Sequence, residues 1–117
     1  MGNTIWVSGQ IPLDPATGAL VNGDVEAQAE RVLRNLSAVL SAGKCEMADV
    51  VRTTIYLVDL AHFASVNAVY GRFFEAPYPA RSTVQVAALP RCAQVEIDAI
   101  AFTGRTVRAR KARPKPR

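Results

Sequence analysis

The sequence predicts an α+β domain, a mixed β-sheet with two helices packed on one face. Three observations carry that expectation. Segments that are β-branched or alternate with period two open, divide and close the body of the chain. Two segments of helical periodicity lie between them. Pro, Gly and Asp gather between these segments rather than inside them. The implied order is strand, short strand, helix, strand, helix, strand, strand, which is that of an α+β layer.

Thr4–Ser8 (TIWVS) is β-branched and aromatic and runs into Gly9, which predicts a first strand. Residues 12–18 concentrate Pro, Asp and Gly as a wide turn requires, and Leu20–Val21 is expected to form a short second strand. Asp24 is placed to cap a helix, with Glu26 near its positive end. Val25, Ala29, Val32, Leu33, Leu36, Val39 and Leu40 form one apolar stripe, and Gly43 supplies the stop. Asp49–Asp59 is β-rich, with Val51, Thr53, Ile55 and Leu57 expected on one face and Arg52, Thr54, Tyr56 and Val58 on the other. A second helix is expected from about Asp59, with Phe63, Val66, Asn67, Tyr70, Phe73 and Phe74 as its apolar set and Pro77 and Pro79 ending it. Ser82–Ala88 and Gln94–Phe102 alternate with period two and read as a strand pair, antiparallel if their five-residue connection is a hairpin loop.

The chain has 117 residues, one domain's length, and a formal net charge of +4 from 14 Lys and Arg against 10 Asp and Glu. That charge is unevenly placed. Residues 103–117 hold seven basic residues and no acid, whereas residues 1–102 hold seven basic residues and all ten acids, a net of −3. We therefore expect a domain over 1–102 and a basic, disordered tail over 103–117. The tail's expected partner is weak and nonspecific, nucleic acid held by residues 105–117; a basic recognition surface on the folded part is not supported.

No apolar run has the length of a membrane span, and the N-terminus carries no basic segment followed by a long apolar stretch, so a soluble, cytoplasmic protein is expected. Cys45 and Cys92 form no CxxC pattern and His62 is the single histidine, which argues against a structural metal or a disulfide framework.

Two charged residues disagree with their surroundings. Arg81 stands where the Pro-rich connector enters a strand, and its planar fork suits a carboxylate; Glu96 stands inside the last strand, where a carboxylate can orient a water or relay a proton. Spacing alone favours plainer roles: solvated surface or an ion pair for Arg81, and a solvent-facing strand position shared with Asp98 for Glu96. Asn67 on an apolar stripe asks for a structural hydrogen bond. His62 is expected to be exposed and without a role, Cys92 beside Arg91 is weak evidence for reactivity, and Tyr70, Phe73 and Phe74 read as core.

The strings themselves are more specific. VSGQIPLDPATGALV, the long run from VLRNLSAVL through VNAVYGRFF, then PARSTVQVAALP and VEIDAIA, in this order, resemble the RidA-like reactive-intermediate (imine/enamine) deaminase family, which also carries the older label endoribonuclease L-PSP. The resemblance runs from Gly2 to about Phe102. It implies a chorismate-mutase-like fold assembled as a homotrimer with clefts between subunits. It further implies hydrolysis of 2-imino acids or their enamine tautomers to 2-oxo acids and ammonia, as in 2-iminobutanoate/2-iminopropanoate deaminases, with no metal and no organic cofactor.

Carried over by position, Arg81 in PARS is the expected carboxylate clamp and Glu96 in VEI the expected holder of the attacking water. Gly9 in SGQ and Thr83 in RST are expected to line the cleft through their backbones, and Asn67 in VNAVY to lie near it. Family members usually begin further upstream, with a strand bearing a Gly-Pro-Tyr segment. By that comparison the strand is missing here, and we expect a start codon placed too late rather than a shortened member that has lost an edge strand. Two other functions compete with the deaminase: a non-catalytic trimeric binder of small carboxylates, and an endoribonuclease or RNA-binding protein using the basic tail.

Overall fold

The computed structural model describes residues 3–103, so the segment 105–117 and the expectations placed on it lie outside the described residues. Along that length the chain forms β1 (Thr4–Gln10), α1 (Val25–Ala42), β2 (Val50–Leu57), α2 (Phe63–Tyr70), β3 (Ala80–Gln85) and β4 (Val95–Phe102). The strands make one mixed sheet in the order β1–β4–β2–β3. β4 is antiparallel to β1 and β2, and β3 is parallel to β2.

The apolar alternation decides which face of the sheet the helices cover. Val7 of β1, Ile55 and Leu57 of β2, and Val95, Ile97, Ala99 and Ala101 of β4 are buried and share one core with Val32, Leu33, Leu36 and Leu40 of α1 and Val66 and Val69 of α2, and Thr53 of β2 is buried on the same face. Both helices therefore lie on one face, with α1 packed against β4, β1 and α2. Asp24 is extended and its carboxylate accepts from the Ala27 amide, as an N-cap should. Gly43 ends α1 with its N–H turned back to Val39 and Leu40. A Cβ there would lie 2.8 Å from the Ile5 side chain, so close approach to β1, rather than a left-handed turn, is what the glycine permits.

Polar side chains of α1 hold the loop that precedes it. Asn35 donates to the carbonyls of Ile11 and Leu13, while buried Gln28 donates to the Val21 carbonyl and accepts from the Gln94 amide. The expected short strand at Leu20–Val21 is only a single bridge, Leu13 to Leu20.

Several expectations are corrected. First, the last two strands do not form a hairpin: β4 lies between β1 and β2, and β3 lies on the far side of β2. The connection crosses the end of β2, where the Val86 amide donates to the Leu57 carbonyl on one edge and the Val58 amide to the Gln94 carbonyl on the other. Strand burial explains the order, since β4 buries every second residue while β3 leaves Val84 and Gln85 exposed at an edge. Second, a bulge in β2 turns Val51 outward and brings Val50 into the core in its place. Third, α2 ends at Tyr70, capped by Gly71, well before the prolines; Phe73 and Phe74 follow in a turn, and Phe63 and Asn67 of the supposed apolar stripe are exposed. His62 is likewise half-buried rather than exposed, its Nδ1 shielded and without a hydrogen-bond partner. Cys45 is buried and Cys92 is exposed, and neither is in a disulfide.

Candidate active site

Arg81 follows Ala80 at the start of β3, just after the Tyr78-Pro79 connector, and faces α2. Its backbone pairs with Thr53 of β2, whose side chain is fully buried on the helix side. Paired residues share a face, so the Arg81 side chain rises on the helix side at the sheet edge, where it meets one side of α2. Its Nη1 donates to Asn67 Oδ1. The guanidinium carbon lies 4.9 Å from the Tyr70 ring centroid and 5.5 Å from that of Phe63. Beside it opens a cavity of about 470 Å³ lined by Asn67, Tyr70, Gly71, Tyr78, Pro79 and Arg81. A guanidinium only donates, so Asn67 must turn its oxygen toward Arg81, which leaves its amide N–H₂ as a donor at the same place.

Glu96 belongs to the other face. It pairs with Tyr56, three residues from Thr53 along β2 and so on the opposite side of the sheet. Its carboxylate lies directly against Gly9: a Cβ on that glycine would sit 1.8 Å from Glu96 Oε2. A break in register between Val7 and Gln10 places Gly9 there. Burial raises the Glu96 carboxyl above its ordinary pKa, and the charge of Asp98 two residues on raises it further. Asp98 in turn accepts from the Tyr56 hydroxyl at 2.9 Å, an arrangement that holds the Tyr56 phenol above its usual pKa.

The five residues singled out from sequence thus fall into two groups. Asn67 and Arg81 are in contact, with Thr83 on the same face of β3, its Oγ1 buried and without a hydrogen-bond partner. Gly9 and Glu96 are in contact on the other face. Within one chain the sheet separates the two groups. Sequence reasoning missed Phe63, Tyr70 and Tyr78 as site residues. The available signal was Asn67: a polar residue at four and three residues' spacing from two aromatics marks a helix face built for something other than the core.

The close fit of Glu96 to Gly9 makes a specific prediction. In Gly9→Ala the added methyl meets the movable end of a side chain rather than backbone, so the fold is expected to survive and the carboxylate to swing away. Thermal unfolding should change little, while any reaction that needs Glu96 should lose most of its rate; a full-rate variant would show that the carboxylate position is not required.

Comparison with known proteins agrees with the motifs. A profile of the endoribonuclease L-PSP family matches residues 1–103. Protein DfrA of Myxococcus xanthus is 62% identical over 102 residues, covering 87% of this chain and 78% of that protein. A mouse 2-iminobutanoate/2-iminopropanoate deaminase is 46% identical over 106 residues, covering 91% and 78% respectively. Among solved structures, Escherichia coli TdcF with bound serine superposes with a TM-score of 0.83 at 42% identity, covering 87% of this chain and 82% of that one. With the sheet order, the two-helix layer and these matches in hand, the chain belongs to the endoribonuclease L-PSP family, the RidA-like proteins its motifs resemble.

Proposed function

We propose that the protein hydrolyses 2-imino acids to 2-oxo acids and ammonia, in clefts formed between copies of the chain arranged as a homotrimer. The observation that carries this reading is the division of the site. Arg81, an arginine in no ion pair among the described residues, and Glu96, a half-buried carboxylate with a raised pKa, lie on opposite faces of one sheet. They can serve one small substrate only if a second copy brings its Glu96 to the first copy's Arg81. The face that carries Glu96 supports such an association. Opposite the helices it leaves Trp6 75% exposed, with Val84 and Phe102 also exposed, an apolar surface that lacks a cover within the chain. The number of copies, three, comes from the family resemblance.

The chemistry asks little beyond these groups. An imine carbon is already electrophilic, the more so when its nitrogen is protonated, so the protein must hold the substrate and place a water. Arg81 would take the substrate carboxylate through paired N–H donors, with the Asn67 amide as a further donor. Glu96 would accept a proton as water adds to the imine carbon, then return it to the amine nitrogen. Collapse of the tetrahedral adduct would break the C–N bond and form the C=O bond as the hydroxyl proton passes to Glu96 and on to solvent, releasing ammonia, so water is the one co-reactant. Two relatives support this assignment, one named as an imine deaminase and one described with bound serine, a ligand bearing an α-carboxylate.

The test generates a 2-imino acid in situ and lets it partition between hydrolysis and a nucleophilic trap. The protein is expected to divert the imine from the trap in proportion to its concentration; no diversion, with carboxylate binding intact, would favour a binder over an enzyme. A pH profile tests the role of Glu96. As a base Glu96 works ionised, so the rate should fall as pH drops through its raised pKa, and the acid limb should lie above the range of an ordinary glutamate. Asp98→Asn removes a charge that raises that value, so its acid limb should move to lower pH; an unmoved limb would assign the titration to another group.

A further inference from the structure

We propose that Phe63 and Tyr70 are positioning residues that clamp the plane of the Arg81 guanidinium from α2, with Thr53 locking Tyr70 from the core, so that one edge of the fork is held ready for a planar carboxylate. The proposal rests on the reading of Arg81 as the substrate clamp.

Its basis is how little else restrains that side chain. Arg81 stands on an edge strand, and the ion pairs among the described residues join Glu30 to Arg34 and Arg72, none of them involving Arg81. An arginine so placed would ordinarily sample many rotamers. Here α2 presents Phe63, Asn67 and Tyr70 along one side, at spacings of four and three residues. The two rings lie 5.5 and 4.9 Å from the guanidinium carbon, and Asn67 accepts from Nη1.

Tyr70 is itself fixed. Its hydroxyl shares a 2.7 Å hydrogen bond with Thr53 Oγ1, buried in the sheet beneath. Thr53 is also the residue with which Arg81 pairs across the strands, so backbone pairing and side-chain contact close a ring from Arg81 through Thr53 to Tyr70 and back. Asn67 takes one of the five guanidinium N–H groups, and among the described residues no carboxylate pairs with the others. The free donors are those a bidentate ligand needs.

The experiment follows 2-oxobutanoate binding by calorimetry and imine hydrolysis by steady-state kinetics. Phe63 is 38% exposed, so Phe63→Leu should fold. It is expected to weaken 2-oxobutanoate binding and raise KM by about 3- to 10-fold, with kcat within about twofold, because a cation–π partner and a restraint on the anchor are lost. Phe63→Tyr, which keeps the ring, should restore both constants. Tyr70→Phe keeps the ring and loses only the tie to Thr53, and should raise KM by a smaller factor of about two to three.

Arg81→Ala separates the two ways of failing. If it binds 2-oxobutanoate as well as the wild type, the clamp reading falls and the positioning role with it. If Arg81→Ala loses binding while Phe63→Leu and Tyr70→Phe keep wild-type KM and affinity, the clamp stands and the positioning role is overturned.

Discussion

Glu96→Gln is expected to lower kcat for imine hydrolysis by about 10²- to 10⁴-fold, the usual contribution of a positioned acid–base group. Affinity for a 2-oxo acid should stay within about threefold, because the uncharged isostere still fits beside Gly9 and the carboxylate anchor is elsewhere. The Gly9 contact is what makes the substitution clean: glutamine needs no new space, so a large rate loss cannot be blamed on a displaced strand. Single-turnover hydrolysis with the imine formed in situ measures it. A variant that hydrolyses at the wild-type rate would remove Glu96 from the mechanism.

Arg81→Ala should act on the other constant. Charge-assisted hydrogen bonds of this kind are worth roughly 1.5–3 kcal/mol, so removing the fork should weaken 2-oxo acid binding by about 10- to 150-fold and lower kcat/KM at least as far. Arg81→Lys keeps the charge but neither the planar fork nor the stacking against Phe63 and Tyr70, and should recover only a small part of that loss. The two substitutions together separate binding from chemistry. A pair that lost both functions equally would mean that Arg81 and Glu96 act only through the integrity of the assembly.

Much of the fold is legible in the sequence where a local rule governs it. α1 is readable because its cap, its closing glycine and its stripe agree, the exposed Val39 being the one stripe residue that does not enter the core. β2 and β4 are readable because a half-buried strand alternates with period two. Pairing order is not readable in this way: alternation states which face a residue takes, not which strand lies beside it, and only the burial of every second residue of β4 against the exposure of β3 explains why the connection between them crosses β2. The boundary of α2 was misplaced because aromatic residues look alike whether they fill a core, as Phe74 does, or hold a guanidinium, as Phe63 does.

The candidate site shows the same division. Arg81, Asn67, Gly9, Thr83 and Glu96 are recognisable by motif, and two of the contacts among them are present. What sequence could not show is that the contacts fall on opposite faces of one sheet. That follows from the register, in which Thr53 carries Arg81 and Tyr56 carries Glu96. Separation by the sheet makes the site's completion by another copy a structural requirement of the proposed reaction.

Mixing the two impaired variants tests that requirement most directly. Arg81→Ala and Glu96→Gln chains, combined in equal amounts under conditions that let subunits exchange, form clefts in which an intact Arg81 from one copy meets an intact Glu96 from another. With random assembly about a quarter of the clefts are complete, so at substrate well below KM activity should rise from the residual level of the separate variants, at most about a tenth of wild type, to about a quarter of the wild-type value at equal protein concentration. A mixture no more active than its separate components, with subunit exchange verified by mass spectrometry of the mixed oligomers, would contradict a site shared between copies.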